Sequence, residues 1–175
     1  NVLLQKRTLT LFGEINQDVA RRMAEKLYAI ANQSDDPNTL YIGSPGGHVE
    51  SGVTIFDLIR YIKPEVRIIG TGWVGSIATH IYLAADKANR YALPNTRFLI
   101  HQPSGGFGGD AADIEIHARE ILKTRERING IIAERTGQTI DRVGEDTQRD
   151  YWMSAEESVE YGLVGKIIND IGEVG

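Results

Sequence analysis

Cysteine is missing from this 175-residue chain, and its absence removes disulfides, thiolate-bound metals and a cysteine nucleophile from consideration. A reducing compartment is compatible with this, either cytoplasm or an organelle matrix. No long basic run is present. The 19 Lys and Arg are outnumbered by 24 Asp and Glu, for a net charge of −5 and a pI near 5.4. Nothing therefore offers a phosphate-binding stripe, which argues against nucleic acid or an anionic membrane as partner. The locally basic HAREILKTRERING mixes both signs and reads as a solvated helix face. Long hydrophobic runs are also lacking. The nearest candidate, IIGTGWVGSIATHIYLAA at residues 68–85, holds four glycines or serines and a histidine, which suits a buried core segment better than a membrane span. No signal peptide opens the chain. It begins almost directly in a strand, NVLLQKRTLTLF, and a preceding N-terminal segment is expected. Apolar content of 41% with 25% charged residues excludes disorder, and the length suits one domain around one core.

What is present alternates strand and helix signals. RTLTLFGEI reads as a strand ending in a turn at Gly13. Val19, Met23, Leu27 and Ile30 recur at helical spacing up to the polar stop NQSDDPN. TLYIG is a short buried strand, followed by the turn SPGGHVESG and a helix with Val49, Val53, Phe56 and Ile59 on its apolar face. EVRIIGTG predicts a further strand, with a helix beginning near Gly75, and RYALP and TRFLIH add two short strands. The glycine-rich SGGFGGD precedes a long helix from about residue 111 to 136, and Thr139 caps a short one to Glu145. Ser154 and Glu157 form a capping box, with Gly162 in the left-handed position beyond it, before LVGKII closes as a strand. This order predicts an α/β domain over residues 1–175, without repeat or linker.

Four places carry possible chemistry. SPGGH puts free backbone N–H groups between a strand and a helix start, where an anion is stabilised. Neither a Walker pattern nor G-x-G-x-x-G is present, however, and a plain tight turn explains it equally. Ser76 is either a small residue that lets a buried helix pack closely or a nucleophile at a helix start. The G-x-S-x-G elbow fails, because Val74 and Ala78 stand at its glycine positions. His101 in FLIHQP is a satisfied core histidine or a base. His48, His80 and His117 have no comparable setting, and His117 reads as a surface or packing residue. Asp150 in TQRDYWMSA orients a histidine or begins a turn. No H-x-x-x-H or H-x-H spacing supports a metal. A serine needs a base and the base an orienting acid, so only the set decides.

The set resembles a known family. SPGG, the serine after GWVG, LPNTRFLIHQPSGG, DIEIHAREIL and DTQRDYWMSAEESVEYGLV resemble, in this order, the proteolytic subunit of the caseinolytic (Clp) protease over about residues 3–168. The resemblance implies a crotonase-like α/β fold with a protruding handle, strand plus long helix, at about residues 102–136. It also implies ATP-independent peptide-bond cleavage inside a barrel of two stacked seven-subunit rings, with no cofactor and no metal. It puts the nucleophile on Ser76, the base on His101, the acid on Asp150 and the oxyanion donors on the N–H groups of Gly47 and Ile77. Ring-to-ring contact falls on Gln148 and Arg149. The docking pocket for the AAA+ unfoldase that delivers unfolded polypeptides falls on Leu27, Tyr41, Tyr61, Ile69, Tyr91 and Leu93, positions that suit a core equally well. The family's N-terminal axial segment is not in this sequence.

Three departures shape the expectations. The family usually carries alanines before the serine and methionine after it. Here Trp73, Val74, Gly75 and Ile77 stand there, which predicts a reshaped acyl-side pocket, altered peptide specificity and low basal activity. Gln148 replaces an acidic residue that pairs with the arginine, and a charge-assisted hydrogen bond is roughly twice as strong as a neutral one. A weaker double ring is expected, favouring a single heptamer or mixing with a related subunit. Thr39 and Thr71 replace larger apolar residues and predict a change in which partner docks. Two other readings remain beside the peptidase: a weakly active or non-catalytic ring subunit that regulates a related one, and a crotonase-type acyl-CoA enzyme, against which the filled triad argues.

Overall fold

The computed structural model describes residues 1–103 and 109–175. Residues 104–108, part of the handle that the resemblance places at about residues 102–136, lie outside the described residues. The chain opens with one helical turn, α1 (Val2–Gln5), rather than directly in a strand: the Asn1 side chain accepts from the Leu3 N–H and caps it. In β1 (Thr8–Phe12) the alternation of the sequence is realised, with Leu9 and Leu11 buried and Thr10 and Phe12 exposed. Asn16 caps α2 (Gln17–Gln33) by accepting from the Val19 N–H at 2.9 Å, and Ala20, Met23, Leu27 and Ile30 form its buried stripe. After β2 (Asn38–Ser44), α3 (Val49–Tyr61) buries Ile55, Phe56 and Ile59, while Val49 and Val53 sit at the edge of the core.

β3 (Val66–Gly75) runs three residues beyond the strand read from EVRIIGTG and ends one residue before Ser76. The helix that follows, α4 (Ile77–Leu83), is buried along its whole length. Then come β4 (Arg90–Ala92), β5 (Arg97–Ile100), α5 (Ala111–Thr136), α6 (Ile140–Asp146), β6 (Tyr151–Met153), α7 (Ala155–Tyr161) and β7 (Lys166–Ile167). β6 replaces the turn suggested for Asp150 and its neighbours, and β7 is far shorter than LVGKII suggested.

Among the described residues the strands form one sheet in the order β1-β2-β3-β4-β7, all pairs parallel. Strand β3 divides it. Its first half, Ile68 to Gly70, pairs with β4, and its second half, Trp73 to Gly75, pairs with β5. Between the halves Gly72 adopts φ 64°, a left-handed value that favours glycine, and the β2–β3 register shifts there. β5 then pairs antiparallel with β6. The main core lies between the sheet and α2, α3, α4 and α5, and includes Leu27, Leu40, Ile42, Ile55, Ile81 and Phe98. Each such fully buried side chain contributes about 1.5–3 kcal/mol before entropy is counted.

Arg90 ties the far end together. It is 1% exposed, and its guanidinium donates to the carbonyls of Leu163, Ala85, Arg135 and Gly162 at 2.7–3.0 Å. These oxygens lie at or just past the C-terminal ends of α4, α5 and α7, so the guanidinium caps them and its charge is solvated by carbonyl dipoles rather than by a carboxylate. Burial still holds its guanidinium down at about 10.

Candidate active site

Ser76 sits where β3 hands over to α4, with φ 56° and ψ −129°. A non-glycine residue held there costs about 1–3 kcal/mol, which the surroundings must overcome. They do so through hydrogen bonds. The Ser76 N–H donates to the Leu99 carbonyl at 3.0 Å, and the buried Thr79 hydroxyl reaches the Val74 and Leu99 carbonyls at 3.3 and 3.0 Å. Although Ser76 is the residue before the helix, its hydroxyl makes no cap hydrogen bond. It is 2.7 Å from His101 Nε2 instead.

His101 follows directly after β5, and the pairing of β5 with β6 decides what it meets. The register Ile100↔Tyr151, extended by one step, brings Asp150 opposite His101. The Gln102 N–H donates to the Thr147 carbonyl at 2.9 Å and closes the same corner. Asp150 Oδ1 lies 3.0 Å from His101 Nδ1. A carboxylate only accepts, so the ring proton resides on Nδ1 and leaves Nε2 with a lone pair facing the serine hydroxyl. His101 is 28% exposed and Asp150 65%, so water reaches the acid but much less of the ring.

SPGGH wraps around the serine. The Gly46 carbonyl accepts from Ile15 and the His48 N–H donates to Ile15, at 2.9 Å each. That parallel bridge turns the intervening Gly47 N–H away from Ile15. A Cβ on Gly46 would stand 2.7 Å from Ser76 Cβ and 3.1 Å from the Ile77 nitrogen, and one on Gly47 would collide with the Ile15 carbonyl. Both glycines also have positive φ, 94° and 148°. Only a bare backbone comes this close.

A small cavity of about 10 Å³ adjoins the serine. Val49, Ile77, Pro103 and Ile128 supply its apolar walls, and Ser76, His80 and His101 its polar groups. Ile77 presses on Gly52, where a Cβ would collide with Ile77 Cγ1. Trp73, expected to reshape this pocket, does not line it. It lies with Arg97 and Trp152 on the outer face of β3, β5 and β6, beside the buried Leu99, stacked on Trp152 with ring centroids 6.3 Å apart. Arg97 covers Trp152 at 4.3 Å.

A profile of the Clp protease family matches residues 1–170. The chain belongs to the Clp protease family. It is 52% identical over 172 residues to the ATP-dependent Clp protease proteolytic subunit 3 of Rhizobium meliloti (strain 1021), covering 98% of this chain and 88% of that protein. The proteolytic subunit 2 of Pseudomonas aeruginosa (strain PAO1) is 53% identical over 165 residues, covering 94% of this chain and 82% of its own length. Among solved structures, a point mutant of ClpP1 from Listeria monocytogenes superposes with a TM-score of 0.92 at 48% identity, covering 98% of this chain and 96% of that one. The fold is thus the mixed α/β fold of the Clp protease family.

Against the family's pattern, the residues named for the triad converge, and Gly47 and Ile77 flank them. Gln148 and Arg149 lie exposed between α6 and β6, on an open cleft of about 470 Å³ beside His101 and Asp150. The six docking positions fall in three places of the fold. Tyr41, Ile69 and Tyr91 fall in one cross-strand row and join Leu93, Ile168 and Val174 in a small cluster. Leu27 is 0% exposed in the main core, apart from that cluster, and Tyr61 stands 77% exposed at the end of α3. Two residues escaped the sequence reading. Thr79 is fully buried under the serine turn, and His80 lines the small cavity. Both sit in an apolar run where nothing local distinguishes a polar residue aimed at the site. His48, also passed over, caps α3 and shares a 2.7 Å hydrogen bond with Ser51.

Proposed function

We propose that this chain is the catalytic subunit of a serine endopeptidase. The observation that carries the reading is the unbroken chain of hydrogen bonds from Asp150 through His101 to Ser76. In the proposed cycle Ser76 Oγ attacks a peptide carbonyl while its proton moves to His101 Nε2. The imidazolium so formed is stabilised by Asp150, and its proton then passes to the leaving amine, which departs with the C-terminal part of the peptide. Water repeats the sequence on the acyl-enzyme. The N–H groups of Gly47 and Ile77 take the developing oxyanion, and one such donor is typically worth about a hundred- to a thousandfold in rate. No step calls for a cofactor or metal.

The same reading makes the chain one subunit of a ring, alone, stacked or mixed with a related subunit, fed with unfolded polypeptides by an ATP-driven unfoldase. The exposed cleft at Gln148 and Arg149 and the apolar row at Tyr41, Ile69 and Tyr91 support such contacts. The names of the relatives, ATP-dependent proteolytic subunits, point the same way. The filled and hydrogen-bonded triad favours a catalytic over a merely regulatory subunit. Labelling with a fluorophosphonate is the test: incorporation that disappears in Ser76→Ala is expected. An unlabelled native protein, with a related subunit present as well, would sink the catalytic reading.

A further inference from the structure

His80 lies one helical turn past Ser76 on α4 and is only 3% exposed. Its Nε2 is 3.1 Å from the Ile128 carbonyl. A carbonyl can only accept, so in the neutral ring Nε2 carries the proton and Nδ1 keeps a bare lone pair. That nitrogen is buried and makes no hydrogen bond of ordinary geometry, although the Ser76 carbonyl lies close enough to favour a proton on the ring. A buried polar atom without a partner costs about 1–3 kcal/mol, and its persistence calls for an explanation. The ring also forms part of the wall of the small cavity that holds Ser76 and His101, whose other walls are apolar. The cavity shares Val49 and Pro103 with a wider one of about 150 Å³ that reaches Ile121 and Thr124.

We propose that His80 sets the peptide specificity of the Ser76 site, its bare ring nitrogen accepting a hydrogen bond from an uncharged donor, carboxamide or hydroxyl, on the substrate side chain at the acyl side of the cut. The inference rests on the peptidase reading and deepens it. The wider cavity takes the stem of the side chain and the narrow end takes its polar tip. An apolar side chain of the same shape leaves Nδ1 unpaired after expelling whatever water it held. A lysine is disfavoured as well, because its ammonium would be stripped of water at the narrow end. A polar wall of this kind discriminates more sharply between isosteres than an apolar wall, which gains only surface area.

The test uses the assembled native protein and fluorogenic peptides that differ only at the acyl-side residue, in the near-isosteric pairs Asn against Leu and Gln against Met. One neutral hydrogen bond corresponds to about a fivefold to tenfold preference in kcat/KM for the amide in each pair. In His80→Phe, which keeps a ring and removes the acceptor, the preference should invert. The native ratios alone suffice should that variant fail to fold. Equal or better cleavage of Leu and Met by the native protein, or unchanged ratios in His80→Phe, overturns the inference. Fluorophosphonate labelling of the same native sample separates the two failures. Labelling with flat ratios removes only the role of His80, whereas no labelling removes the peptidase reading and the inference with it.

Discussion

Lowering the pH from 7 to 5 should cost this protein about 2 kcal/mol of stability through His80 alone. Burial of the ring holds it down at about 4 from an ordinary 6.5, against a smaller upward pull from the carbonyls of Ile128 and Ser76. The unfolded chain therefore binds a proton as the pH falls through 6.5, while the folded chain does not until about 4. The folded state keeps its full advantage above 6.5 and loses it progressively down to about 4. Linkage between those two values gives a loss of about 2 kcal/mol by pH 5, reaching about 3 kcal/mol near pH 4. Carboxylates titrate in the same window, so the informative quantity is a difference. Urea denaturation of the native protein and of His80→Phe at pH 7, 6 and 5 should give curves that converge or cross by about 2 kcal/mol as the pH falls. Parallel curves would refute the argument, since they would mean that the ring is either hydrated or already protonated in the folded state.

Gly46→Ala forces a methyl to within 2.7 Å of Ser76 Cβ at a φ of 94°, so peptidase activity should fall by more than about a hundredfold; activity near the native level would mean that this backbone does not crowd the serine. Asp150→Asn keeps the shape but lets His101 take the wrong tautomer, and kcat should drop by about a hundred- to ten-thousandfold with KM nearly unchanged. A loss below about threefold would remove Asp150 from the relay. Arg90→Met leaves the carbonyls of Leu163, Arg135 and Gly162 without this donor, while that of Ala85 still accepts from Arg135, and should cost at least about 3 kcal/mol in chemical denaturation, whereas a loss under about 1 kcal/mol would show that water replaces the guanidinium.

Much of the frame was legible because it is local. The stripe Met23, Leu27, Ile30, the Thr139 cap and the Ser154–Glu157 box act within a few residues, and each appears where the pattern put it. The misreadings have physical causes too. β6 is three residues long and takes its strand geometry from β5, not from any alternation of its own. β3 continues through GWVG because Gly72 lets the strand bend and exchange β4 for β5 as its neighbour, whereas glycines in sequence read as a break. Which of the docking positions share a surface was not legible either: periodicity shows that a residue is apolar, not which side of the sheet its helix covers.

The amino-acid order determined by itself the α/β alternation, the helix limits and, through resemblance, the three polar residues worth testing, since these depend on neighbours along the chain or on motifs kept intact. Tertiary structure alone decided that Ser76 turns its hydroxyl to His101 and not to its own helix, that Asp150 lies opposite that ring, and that His80 shares a cavity with Ser76 and His101. Those relations span 25 and 49 residues of chain or a choice of side-chain direction, and both are set by strand register and packing, which no local pattern encodes.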